Sequence, residues 1–326
     1  MQLTDSLGRH INYLRLSVTD RCNMRCFYCM PKEGIVKTGH AAVLSYEELQ
    51  LIAETAVGLG IEKIRITGGE PLVRAGIVGF LRKLAKIPGL RHLALTTNGL
   101  LLAEIAADLY QAGVQRLNVS LDSLNSQTFS EITRGGDLSK VLDGLAAAER
   151  AGFPPPKINC VIMRGVNDAE ILDFAGRTLS YGNSIRFIEY MPAIKEDGWQ
   201  RYCISGEEIL QKITGRYPLE QVDKGPFSGP SRDFRIPGAQ GSIGIITAVS
   251  GHFCSECNRI RVTSTGQAKG CLFSGTRTDL LPWLRPPDKE GLAAALRLIV
   301  STKPQQHDIS TDGYTHENFT MSQVGG

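Results

Sequence analysis

The 326 residues, 42% hydrophobic and 21% charged, exclude an intrinsically disordered chain and supply enough apolar material for a large core with room for a second, smaller unit. A formal net charge of +3 is too small to carry binding to nucleic acid or to an anionic membrane, and leaves scope only for a local basic pocket. No apolar run approaches the ~20 residues that span a bilayer, and Met1–Ser6 lacks the charged and apolar regions of a signal peptide, so a cytoplasmic protein is expected.

Along the first two thirds of the chain, short β-rich apolar runs alternate with stretches whose apolar residues recur at three and four, the pattern of a parallel sheet covered by helices. A strand at Tyr13–Val18 leads into a cysteine-bearing loop, and Ser45 with Glu48 forms a capping box heading a helix over Ser45–Leu59. There follow a strand at Lys63–Thr67, a helix at Gly76–Lys86, a strand at Leu93–Thr97, a helix at Leu102–Ala112 and a strand at Arg116–Leu121. A helix at Leu138–Ala151, a strand at Lys157–Met163, a helix at Ala169–Ser180 and a sixth strand at Ser184–Met191 complete the alternation. Six strands joined by right-handed crossovers fit either a doubly wound sheet or a partial (β/α)6 barrel, and both place chemistry at the C-terminal ends of the strands.

After Met191 the alternation fades, and the Gly/Pro/Ser stretch Lys224–Pro230 marks a boundary. The expected division is a core domain over residues 1–224 and a smaller C-terminal domain over 225–326, holding a strand at Ser242–Val249 and a helix at Asp288–Val300. By composition alone the tail Met321–Gly326 is a disordered end.

Eight cysteines in a reducing compartment are not expected to pair as disulfides, so their spacing points to metal or catalysis. Cys22, Cys26 and Cys29 form C-x3-C-x2-C in the loop after the first strand, and Cys254, Cys257 and Cys271 form a second set near the other end. A cubane [4Fe–4S] cluster normally takes four thiolates, so three without a fourth leave one iron with an exchangeable site. Zinc competes for both sets: C-x2-C alone favours it at the first, and a zinc ribbon fits the spacing of the second. The x3 gap is unusual for zinc, and the missing fourth ligand tips the second set toward an iron that holds a substrate atom as a Lewis acid. Cys160, mid-strand among apolar residues, and Cys203, with no cysteine neighbour, read as structural.

Gly68-Gly69-Glu70-Pro71 stands at the end of the second strand, where glycines let backbone approach a ligand and Glu70 or nearby carbonyls can accept from a cationic amine. Arg259 and Arg261 are two apart, so on an extended segment their guanidinium groups point the same way, as paired forks suited to a phosphate or a purine edge.

The cysteine loop with its aromatic at Tyr28, together with Gly-Gly-Glu-Pro, resembles the radical S-adenosylmethionine (SAM) superfamily over residues 13–191. That resemblance implies a partial (β/α)6 barrel in which the open iron of a [4Fe–4S] cluster chelates SAM, with Tyr28 beside the adenine and Gly69, Ser120 and Met191 lining the SAM site. Within the superfamily, six stretches together resemble the GTP 3',8-cyclases of molybdenum cofactor biosynthesis: Asp20–Asn23, Arg65–Pro71, Leu95–Gly99, Asn118–Asp122, Phe187–Met191 and Cys257–Arg261. The family resemblance implies a second [4Fe–4S] cluster on Cys254, Cys257 and Cys271, borne by the C-terminal domain. It assigns Arg15, Arg65, Thr96, Lys157, Arg259 and Arg261 to GTP, with Lys63 and Arg186 as further basic residues near the substrate. Arg186 and a C-terminal Gly325-Gly326 that reaches into the active site are implied to support catalysis.

The implied reaction is abstraction of the ribose 3' hydrogen of GTP by a 5'-deoxyadenosyl radical, then attack on guanine C8, giving 3',8-cyclo-7,8-dihydro-GTP. The implied partners are a flavodoxin- or ferredoxin-type electron donor, a downstream cyclic pyranopterin monophosphate synthase and a second copy of the chain in a homodimer, with no nucleic acid or membrane. The segment Met191–Lys195 departs from the family pattern. Two other readings stay open: a peptide-modifying radical SAM enzyme, which usually carries more C-terminal cysteines, and a zinc-stapled binding protein.

Overall fold

The structure is a computed structural model, and it describes residues 3–34, 39–191, 198–223, 229–251, 253–307, 309 and 321–324. Six strands, β1 (Tyr13–Ser17), β2 (Lys63–Thr67), β3 (His92–Thr97), β4 (Arg116–Ser120), β5 (Lys157–Ile162) and β6 (Ser184–Glu189), lie side by side in chain order and run parallel. A doubly wound sheet reverses its strand order at a switch point. This one never does, so the chain takes the barrel-type alternative, in which every crossover winds the same way.

The crossovers carry α1 (Tyr46–Gly58), α2 (Ile77–Leu84), α3 (Leu102–Gln111), α4 (Ser126–Thr133), α5 (Leu138–Arg150) and α6 (Ile171–Ser180). Ser45 and Glu48 cap α1 reciprocally, as the sequence predicts. The helix α4 has no forewarning in apolar period because Ser126–Thr133 is mostly polar; its start is set by Asn125, whose side chain accepts from the N–H groups of Gln127 and Thr128.

The C-terminal part holds α7 (Gly206–Thr214), β7 (Glu220–Val222), β8 (Arg232–Arg235), β9 (Ser242–Ile246), β10 (Arg259–Val262), β11 (Gln267–Lys269), β12 (Thr278–Asp279), α8 (Lys289–Ser301) and α9 (Met321–Val324). A second capping box, Ser205 with Glu208, starts α7. The strand β9 adds in parallel to β6 and β10 adds in parallel to β1, so one sheet of twelve strands runs β12-β11-β10-β1-β2-β3-β4-β5-β6-β9-β8-β7. The C-terminal strands therefore extend the barrel sheet at both edges.

Strand side chains alternate between faces. On the helix side, Leu14, Leu16, Ile64, Ile66, Leu95 and Val119 are fully buried in the main core. The intervening positions, Arg15, Lys63, Arg65, Thr96, Asn118 and Lys157 among them, face inward onto a shared cavity. An interior this polar is a binding chamber, since burying so many polar groups against each other without a ligand is costly. Among the described residues no helix is long and apolar enough to cross a membrane.

Candidate active site

The cavity measures about 520 Å³, and apart from Glu70 every sequence-predicted site residue among the described ones lines it, all six clustered cysteines included. Gly325 and Gly326, together with residues 192–197 after Met191, lie outside the described residues.

The first cysteine set hangs from the C-terminal end of β1. Its loop is held on one side by the last turn of α4, where Arg25 N donates to Thr133 O at 3.1 Å and Phe27 N to Ile132 O at 3.1 Å. On the other side Gly69 N donates to Thr19 O and Glu70 N to Arg21 O, each at 2.8 Å. The two backbones are in contact there: a Cβ on Gly68 would stand 2.6 Å from Thr19 O, and one on Gly69 would stand 2.3 Å from Arg21 O. The glycines thus bring the second strand's loop against the cysteine loop while still facing the cavity.

Glu70 does not play the part expected of it. Its carboxylate is 1% exposed and accepts from Leu72 N at 3.0 Å, Thr97 Oγ1 at 2.9 Å and Asn98 N at 2.6 Å. It ties β2 to the loop after β3 and has no free face for an amine; burial pushes it up to about 7 against those three hydrogen bonds. Asn98, so placed, donates to Asn23 Oδ1 at 2.7 Å inside the cysteine loop.

All eight cysteines are free thiols. In the first set burial, with the neighbouring thiols and Asp122, pushes Cys26 well above the ordinary thiol range and Cys29 up to about 12, even though the N–H groups of Ser322 and Met321 donate to Cys29. Three half-buried thiols that resist ionising together suit a group that brings its own positive charge, and iron does so. Tyr28, Gly69, Ser120 and Met191 line this end of the cavity. The Tyr28 hydroxyl donates to Asp122 Oδ2 at 2.6 Å and Val161 N to Asp122 Oδ1 at 2.8 Å. Asp122, which burial pushes up to about 6, is a site residue that sequence reasoning left without a role.

The second set lies at the opposite end, contrary to the expectation that chemistry gathers at strand C-termini. Cys254 and Cys257 immediately precede β10, which runs parallel to β1, and Cys271 follows β11, which returns antiparallel. The connectivity leaves no other place for them. Arg9, ion-paired with buried Asp5, fixes this loop by donating to Cys254 O at 2.7 Å and to Pro304 O at 2.8 Å. Buried Lys303 donates to Cys257 Sγ at 3.3 Å and to Arg259 O at 3.1 Å. Burial raises the Cys257 thiol, but Arg259 and Lys303 outweigh it and bring it down to about 6. Cys257 thus has the anionic character that metal binding needs, while burial raises the Cys254 thiol beside it. No motif surrounds Lys303 in the sequence, so only the fold reveals it.

Between the two ends the cations fall into layers set by strand register. Tyr13 on β1 is level with Lys63 and Arg259, and Arg15 is level with Arg65 and Arg261. Thr96, Asn118 and Lys157 form a further layer on β3, β4 and β5. Lys63 Nζ stands 4.5 Å from the centre of the Tyr13 ring. Burial and then Arg261 push Arg15 well below its ordinary range, burial lowers Lys63 to about 8, and burial with Arg186 lowers Lys157 to about 7. The Nε groups of Arg65 and Arg186, Thr96 Oγ1 and both amide atoms of Asn118 are buried without a hydrogen-bond partner. Mutually repelling cations and orphaned donors around one space are the imprint of a polyanion. Cys160 is instead fully buried in the main core, and Cys203 packs beside Trp199 and Tyr202 away from the cavity, both structural as expected.

The Radical SAM superfamily model matches residues 16–177, and the Molybdenum Cofactor Synthesis C model matches residues 183–309. Among solved structures the fold is similar to Streptococcus suis SuiB bound to S-adenosylmethionine, with a TM-score of 0.59 at 15% identity over 87% of this chain and 68% of that one. It is also similar to anSMEcpe with bound AdoMet, with a TM-score of 0.58 at 14% identity over 94% and 93%. Fold and site together define a radical SAM α/β enzyme with a molybdenum cofactor synthesis C-terminal region. The GTP 3',8-cyclase of Geobacter sulfurreducens is 62% identical over the full length of both chains, and that of Alkaliphilus oremlandii is 46% identical over 99% of this chain and 100% of its own. The chain belongs to the GTP 3',8-cyclase family of molybdenum cofactor biosynthesis.

Proposed function

We propose that the chain converts GTP to 3',8-cyclo-7,8-dihydro-GTP within the barrel, with a [4Fe–4S] cluster on each cysteine set. When bound, the first cluster and SAM supply a 5'-deoxyadenosyl radical that takes the ribose 3' hydrogen, and the ribose carbon then closes on guanine C8. The observation that carries this reading is the placing of two three-thiolate cradles at opposite ends of one cavity with a cationic wall between them.

In this reading Tyr28, Gly69, Ser120 and Met191 hold SAM against the first set. Arg259 and Arg261, flanked by the second set, hold the guanine end, while Arg15, Lys63, Arg65, Lys157 and Arg186 hold the triphosphate and Thr96 donates to it. Fixing the substrate at both ends leaves the ribose between the two sets and brings C3' and C8 together, which converts ring closure into a positioned intramolecular step. Arg186, 5% exposed on β6, and the terminal Gly325 and Gly326 complete the catalytic group. Electrons come from a flavodoxin- or ferredoxin-type donor, and the product passes to a cyclic pyranopterin monophosphate synthase.

The test is anaerobic incubation of the reduced, reconstituted protein with SAM and each nucleoside triphosphate in turn. Release of 5'-deoxyadenosine and of a cyclised product is expected with GTP alone; release indifferent to the nucleotide sinks the substrate assignment.

The depressed lysines add a pH signature. Lys63 near 8 and Lys157 near 7 are partly neutral in the free protein, and a triphosphate restores their protons. GTP binding is therefore expected to take up protons near pH 8, and affinity to fall as pH rises between about 7 and 9. A lysine depressed by folding favours the fold in its neutral form. The free protein accordingly gains stability as pH rises from about 7 toward the ordinary lysine value of 10.5, and the complex with GTP forfeits that gain. Calorimetry in buffers of different ionisation enthalpy reads the uptake; a pH-independent affinity would place these lysines away from the phosphates.

A further inference from the structure

Asn118 lines the cavity from the middle of β4 with 1% of its surface exposed, and neither its side-chain oxygen nor its nitrogen has a protein partner. A buried amide open at both ends is costly unless something completes it. Register places Asn118 level with Thr96 on β3, whose hydroxyl is also buried without a partner, and with Lys157 on β5. Two residues back on the same face of β4 is Arg116, level with Ala94 on β3 and through it with Arg65 on β2. His92 on β3 is level with Lys63. Both Arg116 and His92 line the cavity.

The substrate contacts assigned so far are unevenly spread. They come from β1, β2, β5, β6 and β10, and the wall made by β3 and β4 contributes only Thr96. Yet the sheet order β10-β1-β2-β3-β4 puts β4 four strands round from the segment that holds the guanine end. With the base beside β10 and the ribose turned toward the first cysteine set, a phosphate chain that extends away from β10 reaches the wall of β3 and β4, where Thr96 and Asn118 hold buried polar atoms without a partner. We propose that Asn118, with Arg116 and His92 beside it, forms the subsite for the terminal phosphate of the substrate and so selects a nucleoside triphosphate over a diphosphate.

The chemistry of the three groups fits that task. The Asn118 Nδ2 donates to a phosphate oxygen without adding another charge to a crowded cation cluster, and Lys157 stands level with it on β5 to supply charge beside it. Arg116 offers a planar fork at the outer end of β4. His92 feels the same crowding, since burial and then Lys63 and Arg116 hold it below the ordinary histidine range, and a bound phosphate reverses that effect.

The inference rests on the GTP reading, and its test separates the two. Binding of GTP and of GDP to the reconstituted, SAM-loaded protein is measured at equilibrium for the wild type, Asn118→Ala and Arg116→Ala. The wild type is expected to prefer GTP. Each variant is expected to weaken GTP by about tenfold or more, as for a lost hydrogen bond to a charged group, with GDP binding, SAM binding and iron content unchanged, so the preference collapses. Arg116 is exposed, so Arg116→Ala reads the subsite even if Asn118→Ala fails to fold. A GTP preference that survives in Arg116→Ala, or an equal loss for GTP and GDP, overturns the terminal-phosphate assignment alone. A wild-type protein that binds neither nucleotide overturns the functional reading along with it.

Discussion

Gly69→Ala is expected to strip iron from the first cysteine set and abolish SAM cleavage, while the second set keeps its iron. The effect is steric and not torsional, because Gly69 is absent from the positive-φ glycines. Its Cβ would stand 2.3 Å from Arg21 O, 2.6 Å from Arg21 C and 2.8 Å from Asp20 O, all of them backbone atoms that cannot swing away as a side-chain tip can. The cysteine loop must therefore move as a whole. That breaks the hydrogen bonds of Gly69 N and Glu70 N to the loop and displaces Cys22, which directly follows Arg21. Overpacking of this kind costs about 1–3 kcal/mol, which lowers the melting temperature by roughly 5 °C at most for a chain of this size. The fold survives, but a cluster cradle tolerates no such shift. Iron and sulfide analysis with electron paramagnetic resonance of each cluster reads the outcome, and a variant that still cleaves SAM at the wild-type rate would show that the loop has slack.

Cys257→Ser should produce the mirror image. Iron per chain is expected to fall by about half, since the proposed arrangement puts one of two equal clusters on this set. SAM binding is retained, because the first set is at the far end of the barrel. Cyclised product is expected to fall by roughly 10²-fold or more, the scale of a lost positioning contact. The substitution does more than delete a ligand. Cys257 is the anion that Lys303 and Arg259 face, and without it Lys303, Arg259, Arg261 and Arg15 confront one another with less to balance them. A variant that loses zinc and no iron, or that forms product normally, contradicts the assignment of this set to a substrate-anchoring cluster.

Much of this was legible from the chain alone. The six parallel strands and five of the crossover helices fall within a few residues of where apolar periodicity and the Ser45 capping box put them. The triads of cysteines were visible as spacing, and Arg259 and Arg261 as neighbours on one face, because β10 is extended as their separation requires. These features depend on residues within a few positions of one another. Helix caps, strand alternation and a loop that wraps three sulfurs are all local.

What the sequence by itself determined, then, is which residues carry the chemistry and which elements bear them. Where those residues meet was decided only by the tertiary structure. The choice between a doubly wound sheet and a barrel rests on strand order, and no strand states its neighbour. The second cysteine set reaches the N-terminal end of the barrel because β10 joins β1 in parallel, a pairing between Tyr13 and Arg259 at opposite ends of the chain. Glu70 turned from a ligand candidate into a structural tie because Thr97 and Asn98 arrive beside it from another strand. Lys303 carries no local pattern at all, and Asn118 stands in a family-like stretch that gives it no role; their meaning comes from the thiolate and the cations that sheet closure brings to them. Register over long sequence separations is fixed by burying one face of every strand against helices, and the opposite face is then left to enclose the chamber where the charges converge.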